Sequence, residues 1–313
     1  MIAESRVLVT GGAGFLGSSL CTRLVKEGAD VTVLDNFSSG NLQRLQEVVS
    51  CKNFRLVRGD IRNAEDVRQC VNDRDTILHL AAKVGVIKAA SHGIDVLDTT
   101  LEGISLLLSE GTKVEVSTFM FASSSEVYGE PSRLPSREDD PLVPKSTYAV
   151  AKVAAERYCE EYGTLYGINT CILRYFNVYG PLQNDNFVVS QFLQHALKGE
   201  VLPVYGSGTQ TRDFCYIDDA VSLTLEAMKR NRGSNIYNVG SGECTSLKKL
   251  AELISSLSPR ECRIAFVDPD ERRPQEYEIM HRQADISKIV SLCGVSPKHS
   301  LEDGLRKCFE VLM

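Results

Sequence analysis

The stretch Arg6-Val7-Leu8-Val9-Thr10-Gly11-Gly12-Ala13-Gly14-Phe15-Leu16-Gly17 decides the fold. Its first five residues form a short, mostly apolar and β-branched run, the pattern of a strand buried on both faces. Glycines follow at once, and a helical pattern then runs from Gly14 to Lys26. Gly12, Gly14 and Gly17 satisfy G-x-G-x-x-G, while Gly11, Gly14 and Gly17 satisfy G-x-x-G-x-x-G. Such a turn brings backbone close to a pyrophosphate and seats it on the free amides at the positive end of a helix. A glycine pattern alone is also what a plain turn shows. The strand before it, the helix after it and an acid downstream make it a dinucleotide site.

That acid is Asp35, 24 residues after Gly11, at the end of a second strand, Val31-Thr32-Val33-Leu34. A carboxylate there accepts hydrogen bonds from the adenosine ribose and repels a 2′-phosphate. Asn36-Phe37-Ser38-Ser39 follow without a cation, so the pattern favours NAD(H) over NADP(H). Asp60-Ile61, just past a third strand at Phe54-Arg55-Leu56-Val57, reads either as an adenine contact or as a solvated strand end.

Outward from this start, short strands alternate with helical segments. Thr76 to Leu80 reads as a fourth strand, Thr118 to Phe121 as a fifth, and Thr170 to Arg174 follows a helix that starts near Tyr148. The alternation predicts an α/β fold, a doubly wound Rossmann sheet of parallel strands. After Asn177 the rhythm changes: Pro181, Pro203, Gly206 and Gly208 punctuate shorter elements. A strand is expected at Asn235 to Val239, a helix from Ser246 to Ser256, and a final amphipathic helix from Leu301 to Leu312. The expected organisation is a coenzyme-binding domain over 1–176, to which 214–240 returns, and a smaller, mainly substrate-binding part over 177–313.

Bulk properties narrow the classes. The 313 residues are 43% hydrophobic and 24% charged, ordinary for a globular enzyme-sized chain. A net charge of -6 with no Lys/Arg run leaves no electrostatic footprint for nucleic acid. Ten cysteines show neither C-x-x-C nor metal-ligand spacing, which reads as free thiols in a cytoplasmic protein without a metal. Met1-Ile2-Ala3-Glu4-Ser5-Arg6 runs straight into the first strand with no secretory h-region, and no run approaches the ~20 apolar residues of a membrane span.

Tyr148-Ala149-Val150-Ala151-Lys152 sets a phenol and an amine four residues apart, on one side of a helix. Tyrosine is a poor base near pH 7, since its free pKa is about 10. A neighbouring ammonium and a cationic nicotinamide both stabilise the phenolate. The phenolate then takes a hydroxyl proton as the carbon beneath loses hydride. Ser123-Ser124-Ser125-Glu126-Val127-Tyr128-Gly129 follows the fifth strand, at the end where open α/β sheets place their sites. A hydroxyl there can share the substrate's proton; the plainer reading is a serine-rich turn that caps the next element.

With these motifs the chain resembles the extended short-chain dehydrogenase/reductase family, specifically the NAD-dependent nucleotide-sugar epimerases and dehydratases, among them UDP-glucose 4-epimerase-like members. The resemblance spans nearly the whole chain. It includes His79-Leu80-Ala81-Ala82, Arg174-Tyr175-Phe176-Asn177-Val178-Tyr179-Gly180-Pro181, Arg212-Asp213-Phe214, Ala284-Asp285-Ile286-Ser287-Lys288 and Ser300-Leu301-Glu302-Asp303-Gly304-Leu305. It implies Tyr148 as base, Ser124 as its proton-sharing partner, and Lys152 as the cation that holds the nicotinamide ribose. It implies Gly11, Gly14, Phe15, Leu16, Gly17, Asp35, Asn36, Asp60, Ile61, Leu80, Ala81 and Ala82 around NAD. Asn177, Arg212 and Arg273 match diphosphate-binding positions, with Lys83 and Ser124 beside the sugar. Arg suits the task because its planar fork pairs two phosphate oxygens. A homodimer is implied by the resemblance alone.

The reaction stays open between branches. Members remove hydride from the sugar, commonly at C4, and an epimerase returns it to the other face. A dehydratase also takes the C5 proton and expels the C6 hydroxyl, and a 4-ketouronate can lose carbon dioxide. Ser124-Ser125-Glu126 lacks the Asp of the T-D-E dehydratases, and Glu126 reads as a C5 base or as a binding residue. Val84-Gly85-Val86 and Ser146-Thr147-Tyr148 look epimerase-like, so a UDP-sugar 4-epimerase leads, with dehydratase or decarboxylase behind it. Departures stand out: Thr100 replaces the Asn ahead of Gly103, Arg273-Pro274-Gln275-Glu276 lacks a Gly, and Tyr277 to Arg282 is longer than the family pattern. The loop Leu182 to Asn186 shows no Arg suited to a carboxylate. A non-catalytic NAD(H)-binding regulator is the reading of another class, and the retained Tyr148, Lys152 and Ser124 weigh against it.

Overall fold

Alternate residues of the first strand point to opposite cores, and the architecture follows from that. The computed structural model describes residues 2–83, 92–268 and 277–313. The strands β1 (Arg6–Thr10), β2 (Asp30–Asp35), β3 (Phe54–Arg58), β4 (Thr76–His79), β5 (Thr118–Ser124) and β6 (Asn169–Tyr175) are joined by a later strand, Asn235–Val239. Three smaller pairs lie between and after them: β7 (Asn177–Tyr179) with β10 (Phe214–Tyr216), β9 (Thr211–Arg212) with β12 (Thr245–Ser246), and β8 (Leu202–Tyr205) with β13 (Ile264–Val267). The strand Asn235–Val239 is β11, and the main sheet runs β11-β6-β5-β4-β1-β2-β3 with every pair parallel.

Val7 and Val9 face one layer, with Leu20, Leu24, Val31, Val33 and Leu225. Leu8 faces the other, with Leu34, Ile77, Phe119, Leu107 and Ile172. A strand buried on both sides has no polar face to show, which is why it reads as a continuous apolar run. Helices α1 (Phe15–Lys26), α2 (Ala64–Val71), α3 (Gly93–Lys113) and α4 (Thr147–Tyr166) cover the first half of the sheet. The later helices are α5 (Val188–Lys198), α6 (Ile217–Arg230), α7 (Leu247–Leu257), α8 (Ser287–Cys293) and α9 (Leu301–Leu312).

The Rossmann sheet and the parallel order match the sequence expectation. Two elements differ from it. β5 runs on to Ser124, because Ser123 and Ser124 pair in register with Arg174 and Tyr175 of β6. The 21-residue α3, for which no element was expected, buries Thr99, Thr100, Gly103 and Gly111 beside Val96, Ile104, Leu107 and Leu108. Gly103 is needed there: a Cβ would stand 2.4 Å from Ile61 Cδ1.

Chain order reverses between β1 and β4, so a crevice opens above the carboxyl ends of these strands. The glycine turn fills its floor. Gly11 has φ +72°, and a Cβ on it would meet Ala81 N at 2.7 Å. A Cβ on Gly17 would stand 2.2 Å from Gly11 O, so the first helix packs on the turn only without a side chain. Replacing Gly17 with Ala is therefore expected to lower stability by about 1–3 kcal/mol in urea unfolding and to weaken NAD binding by displacing α1.

Candidate active site

One continuous cleft, of about 640 Å³, runs from the glycine turn past Tyr148 to Arg212 and Arg282. At its first end Gly14 starts α1 without a side-chain cap, leaving the first-turn amides for a ligand. Asp35, nearly buried, accepts from Ala13 N at 2.9 Å and Phe37 N at 2.8 Å, which holds its carboxylate in place at the head of the cleft. This cradle fits a dinucleotide: glycines leave room for the backbone to approach phosphate, and the acid follows at the ribose distance along the sequence. Gly11, Gly14, Phe15, Leu16, Gly17, Asp35, Asn36, Ile61, Leu80, Ala81 and Ala82 all line the cleft. Asp60 does not; its carboxylate binds Arg62 (2.9 Å) and Asn36 (3.1 Å), and Arg62 holds it below the usual carboxylate range.

The central residues come from three elements. β5 ends in Ser124, whose Oγ accepts from Glu126 N at 3.2 Å and opens a 3-10 turn over Ser125–Tyr128. Ser146 caps α4 by accepting from Ala149 N at 3.1 Å. That cap sets Tyr148 and Lys152 on the cleft side of the helix. Lys152 Nζ donates to Ala122 O at 2.7 Å and lies 5.6 Å from the Tyr148 ring centroid. Burial lowers its pKa to about 8, against the opposing pull of Glu156. Burial raises the Tyr148 pKa, Glu126 raises it further, and a hydrogen bond with Ser124 and the charge of Arg282 oppose them. The phenol is thus neutral near pH 7. His79 lies beneath, 1% exposed, with Nδ1 2.7 Å from Thr10 Oγ1. Burial and the Lys152 charge push its pKa down to about 3, so it is a neutral structural residue.

At the far end, Glu126 accepts from Ser146 Oγ at 3.1 Å, and its other oxygen lies 3.6 Å from Arg282 Nη2. Both side chains are largely buried, and Arg282 Nε has no partner among the described residues. Arg212 pairs with Glu278 at 2.8 Å and donates to Thr211 O. Asn177 Oδ1 is buried without a partner among the described residues. Lys83 lines the cleft and is paired with Asp95. Ser125 lines it too and is almost wholly buried. Arg273 and Val84-Gly85-Val86 lie outside the described residues.

Sequence reasoning passed over several cleft residues. Thr99 lines the cleft with a buried hydroxyl that has no partner among the described residues, whereas Thr100 donates to Val96 O in its own helix. Arg282 was not singled out, although it stands two residues before the Ala284-Asp285-Ile286-Ser287-Lys288 match. The loop Gln183 to Val189 and the segment Ser38 to Gly40 also line the walls and carry no residue pattern that marks them.

The sequence profile of the NAD dependent epimerase/dehydratase family matches residues 7–240. A UDP-N-acetyl-alpha-D-glucosaminuronate decarboxylase of Bacillus cytotoxicus is 35% identical, over 98% of this chain and 97% of that one. The structure of a UDP-glucose 4-epimerase of Thermotoga maritima with UDP-glucose superposes with a TM-score of 0.91 at 30% identity, over 98% of both chains. A UDP-glucuronic acid 4-epimerase from Bacillus cereus, in complex with UDP-glucuronic acid and NAD, gives 0.89 at 33% identity, over 98% of this chain and 100% of that one. Among the described residues no helix is long and apolar enough to cross a membrane. With the glycine cradle, Asp35 and the Tyr148–Lys152 pair in one cleft, the chain belongs to the NAD dependent epimerase/dehydratase family and is an NAD-dependent enzyme.

Proposed function

We propose that this enzyme oxidises C4 of a UDP-linked hexuronate and then releases the C6 carboxylate as carbon dioxide. The observation that carries the reading is Arg282, a buried guanidinium 3.6 Å from Glu126 with its Nε unpartnered among the described residues. Burying a cation is costly, and a sugar carboxylate in the fork of Arg282 offsets that cost with paired hydrogen bonds. A neutral sugar would bring no carboxylate to this cation, whatever the reaction at C4. Relatives named as acting on uronate sugars support the uronate substrate, and the loss of carbon dioxide is supported by relatives named as decarboxylases.

Asn177, Arg212 and Arg273 hold the diphosphate and Lys83 lies toward the sugar. Tyr148 takes the C4 hydroxyl proton, Ser124 shares it, and Lys152 supplies positive charge under the phenolate. The glycine turn and Asp35 would hold NAD, which would supply the hydride acceptor and donor for C4. A carboxylate β to the new ketone leaves as the C5–C6 bond breaks and its electron pair passes into the C4–C5 enolate. Ser146 orients Glu126, which passes a solvent proton to C5. In this division residues 1–176 with 214–240 form the coenzyme domain and 177–313 mainly the nucleotide-sugar part, in a cytoplasmic protein.

Proton NMR in deuterated water tests the reaction, with NAD and either UDP-glucuronate or UDP-glucose. The expected product from the uronate is a UDP-pentose with one deuterium at C5 and released carbon dioxide. A C4 epimer of either sugar without C5 deuterium would overturn the reading in favour of an epimerase. Arg282→Gln is expected to cut kcat/KM on the uronate by ~10²-fold, and Tyr148→Phe by ~10³-fold.

Lys152 makes a second prediction. Its folded-state pKa of about 8 lies below the ordinary 10.5, so the burial penalty on the ammonium is full below pH 8 and fades as pH rises to 10.5. Turnover is expected to decline above about pH 8 as the charge is lost. Lys152→Met is expected to abolish turnover while raising stability at pH 7 by about 3 kcal/mol, measured by urea unfolding with and without a shift to pH 10.

We also infer that the enzyme is a homodimer. Val150, Tyr158 and Leu165 are exposed on one side of α4, with Ile94 exposed on α3. Light scattering is expected to give twice the chain mass, and Leu165→Glu with Tyr158→Glu to give the monomer.

A further inference from the structure

Arg44 stands outside the reaction chemistry, yet it joins the two rims of the cleft. It lies in the 3-10 turn Leu42–Leu45 that follows β2. Its Nη2 donates to Leu182 O at 2.8 Å and to Asn184 Oδ1 at 2.5 Å, residues about 140 positions away in sequence. On the coenzyme side, Asn41 N donates to Ala13 O at 2.9 Å, and Arg44 N donates to Asn41 O at 3.1 Å. A continuous chain of hydrogen bonds therefore runs from the glycine turn through Asn41 and Arg44 to the loop after β7. Gln183, Asn184, Asn186 and Phe187 of that loop line the cleft.

Two further features set this contact apart from an ordinary surface bond. Leu182 has φ 64°, a left-handed conformation that costs a non-glycine residue about 1 kcal/mol or more and persists only when its surroundings enforce it. Arg44 binds the carbonyl of this residue. Burial holds the Arg44 pKa below its ordinary value, opposed by one carboxylate from each rim, Asp185 and Asp35. Its Nη1 is buried without a partner among the described residues, so the guanidinium is desolvated beyond what its two bonds need.

We propose that Arg44 is a positioning residue that couples the coenzyme loop to the nucleotide-sugar loop, so that binding of a uridine diphosphate group at one end tightens retention of NAD(H) at the other. This rests on the reading that both ligands share the cleft. Because linkage is reciprocal, NAD must tighten the nucleotide by the same factor. A hydride that is borrowed and returned needs a coenzyme that stays, and the latch supplies retention only while substrate is present.

The test measures NADH release by stopped-flow fluorescence from the full-length protein, with and without UDP, and UDP affinity with and without NAD. In the wild type UDP is expected to slow release about tenfold. In Arg44→Gln the slowing is expected to shrink to within about twofold, with Asn184→Ala, which leaves the bond to Leu182 O, falling between that and the wild type and the double variant matching Arg44→Gln. A residue that merely stabilised the fold would weaken both ligands and leave their ratio intact. That outcome, or full slowing in Arg44→Gln, overturns the latch. Failure of the wild type to bind UDP at all would instead overturn the nucleotide assignment beneath it.

Discussion

The ion pair between Glu156 and Arg174 sets the geometry of everything above it. Both side chains are nearly fully buried, and the guanidinium meets the carboxylate with bonds of 3.0 and 2.7 Å. Taking two charges out of water costs several kcal/mol per ion, and the pair is tolerable only if the remaining polar atoms are also satisfied. They are: Ser123 Oγ donates to Glu156, while Arg174 Nη1 donates to Tyr128 OH and Glu138 O. Tyr128 in turn donates to Asn238 Oδ1 on β11. Glu156 is one helical turn after Lys152, so anchoring it fixes the rotation of α4 about its axis. A helix free to roll would carry Tyr148 and Lys152 away from the ends of β5. The pair adds little net stability, but it specifies one arrangement of helix, sheet and returning strand.

Above this frame the site is electrostatically unfinished in a defined way. Tyr148 is neutral, His79 is neutral, and burial lowers the Lys152 pKa to about 8. Beside the Lys152 ammonium, the further charge that would favour a phenolate is that of an oxidised nicotinamide, which comes with the coenzyme. Glu126, which raises the Tyr148 pKa, and Arg282, which lowers it, sit within 3.6 Å of each other. Whatever engages Arg282 therefore alters the balance of charge felt at Tyr148.

Much of this was legible in the chain because its motifs are local. The glycine turn, Asp35 and the Tyr148–Lys152 spacing each complete their chemistry within a few residues of one element, and the strand pattern of β1 declares burial on both faces. What stayed hidden is non-local. Arg282 meets Glu126 across more than 150 positions and Arg44 meets Leu182 across about 140, so neither spacing carries a period to read. Helix α3 was not read from the chain, although Val96, Ile104, Leu107 and Leu108 share its buried face with Thr99, Thr100, Gly103 and Gly111. Thr99 and Thr100 are adjacent and alike in the sequence, and only helix rotation decides which of them faces the cleft.

The position of β11 at the edge of the main sheet has a consequence for how the protein is made. This strand pairs with β6 but follows it by some sixty residues, after the chain has left the sheet and returned. During synthesis the first six strands emerge together, yet β6 waits with one edge bare and Tyr128 lacks Asn238 until the chain has reached that far. Non-local pairing of this kind slows folding and leaves a strand edge open to wrong partners. A nascent chain halted before residue 239 thus holds the whole glycine turn and the Tyr148–Lys152 pair without the strand that completes their support.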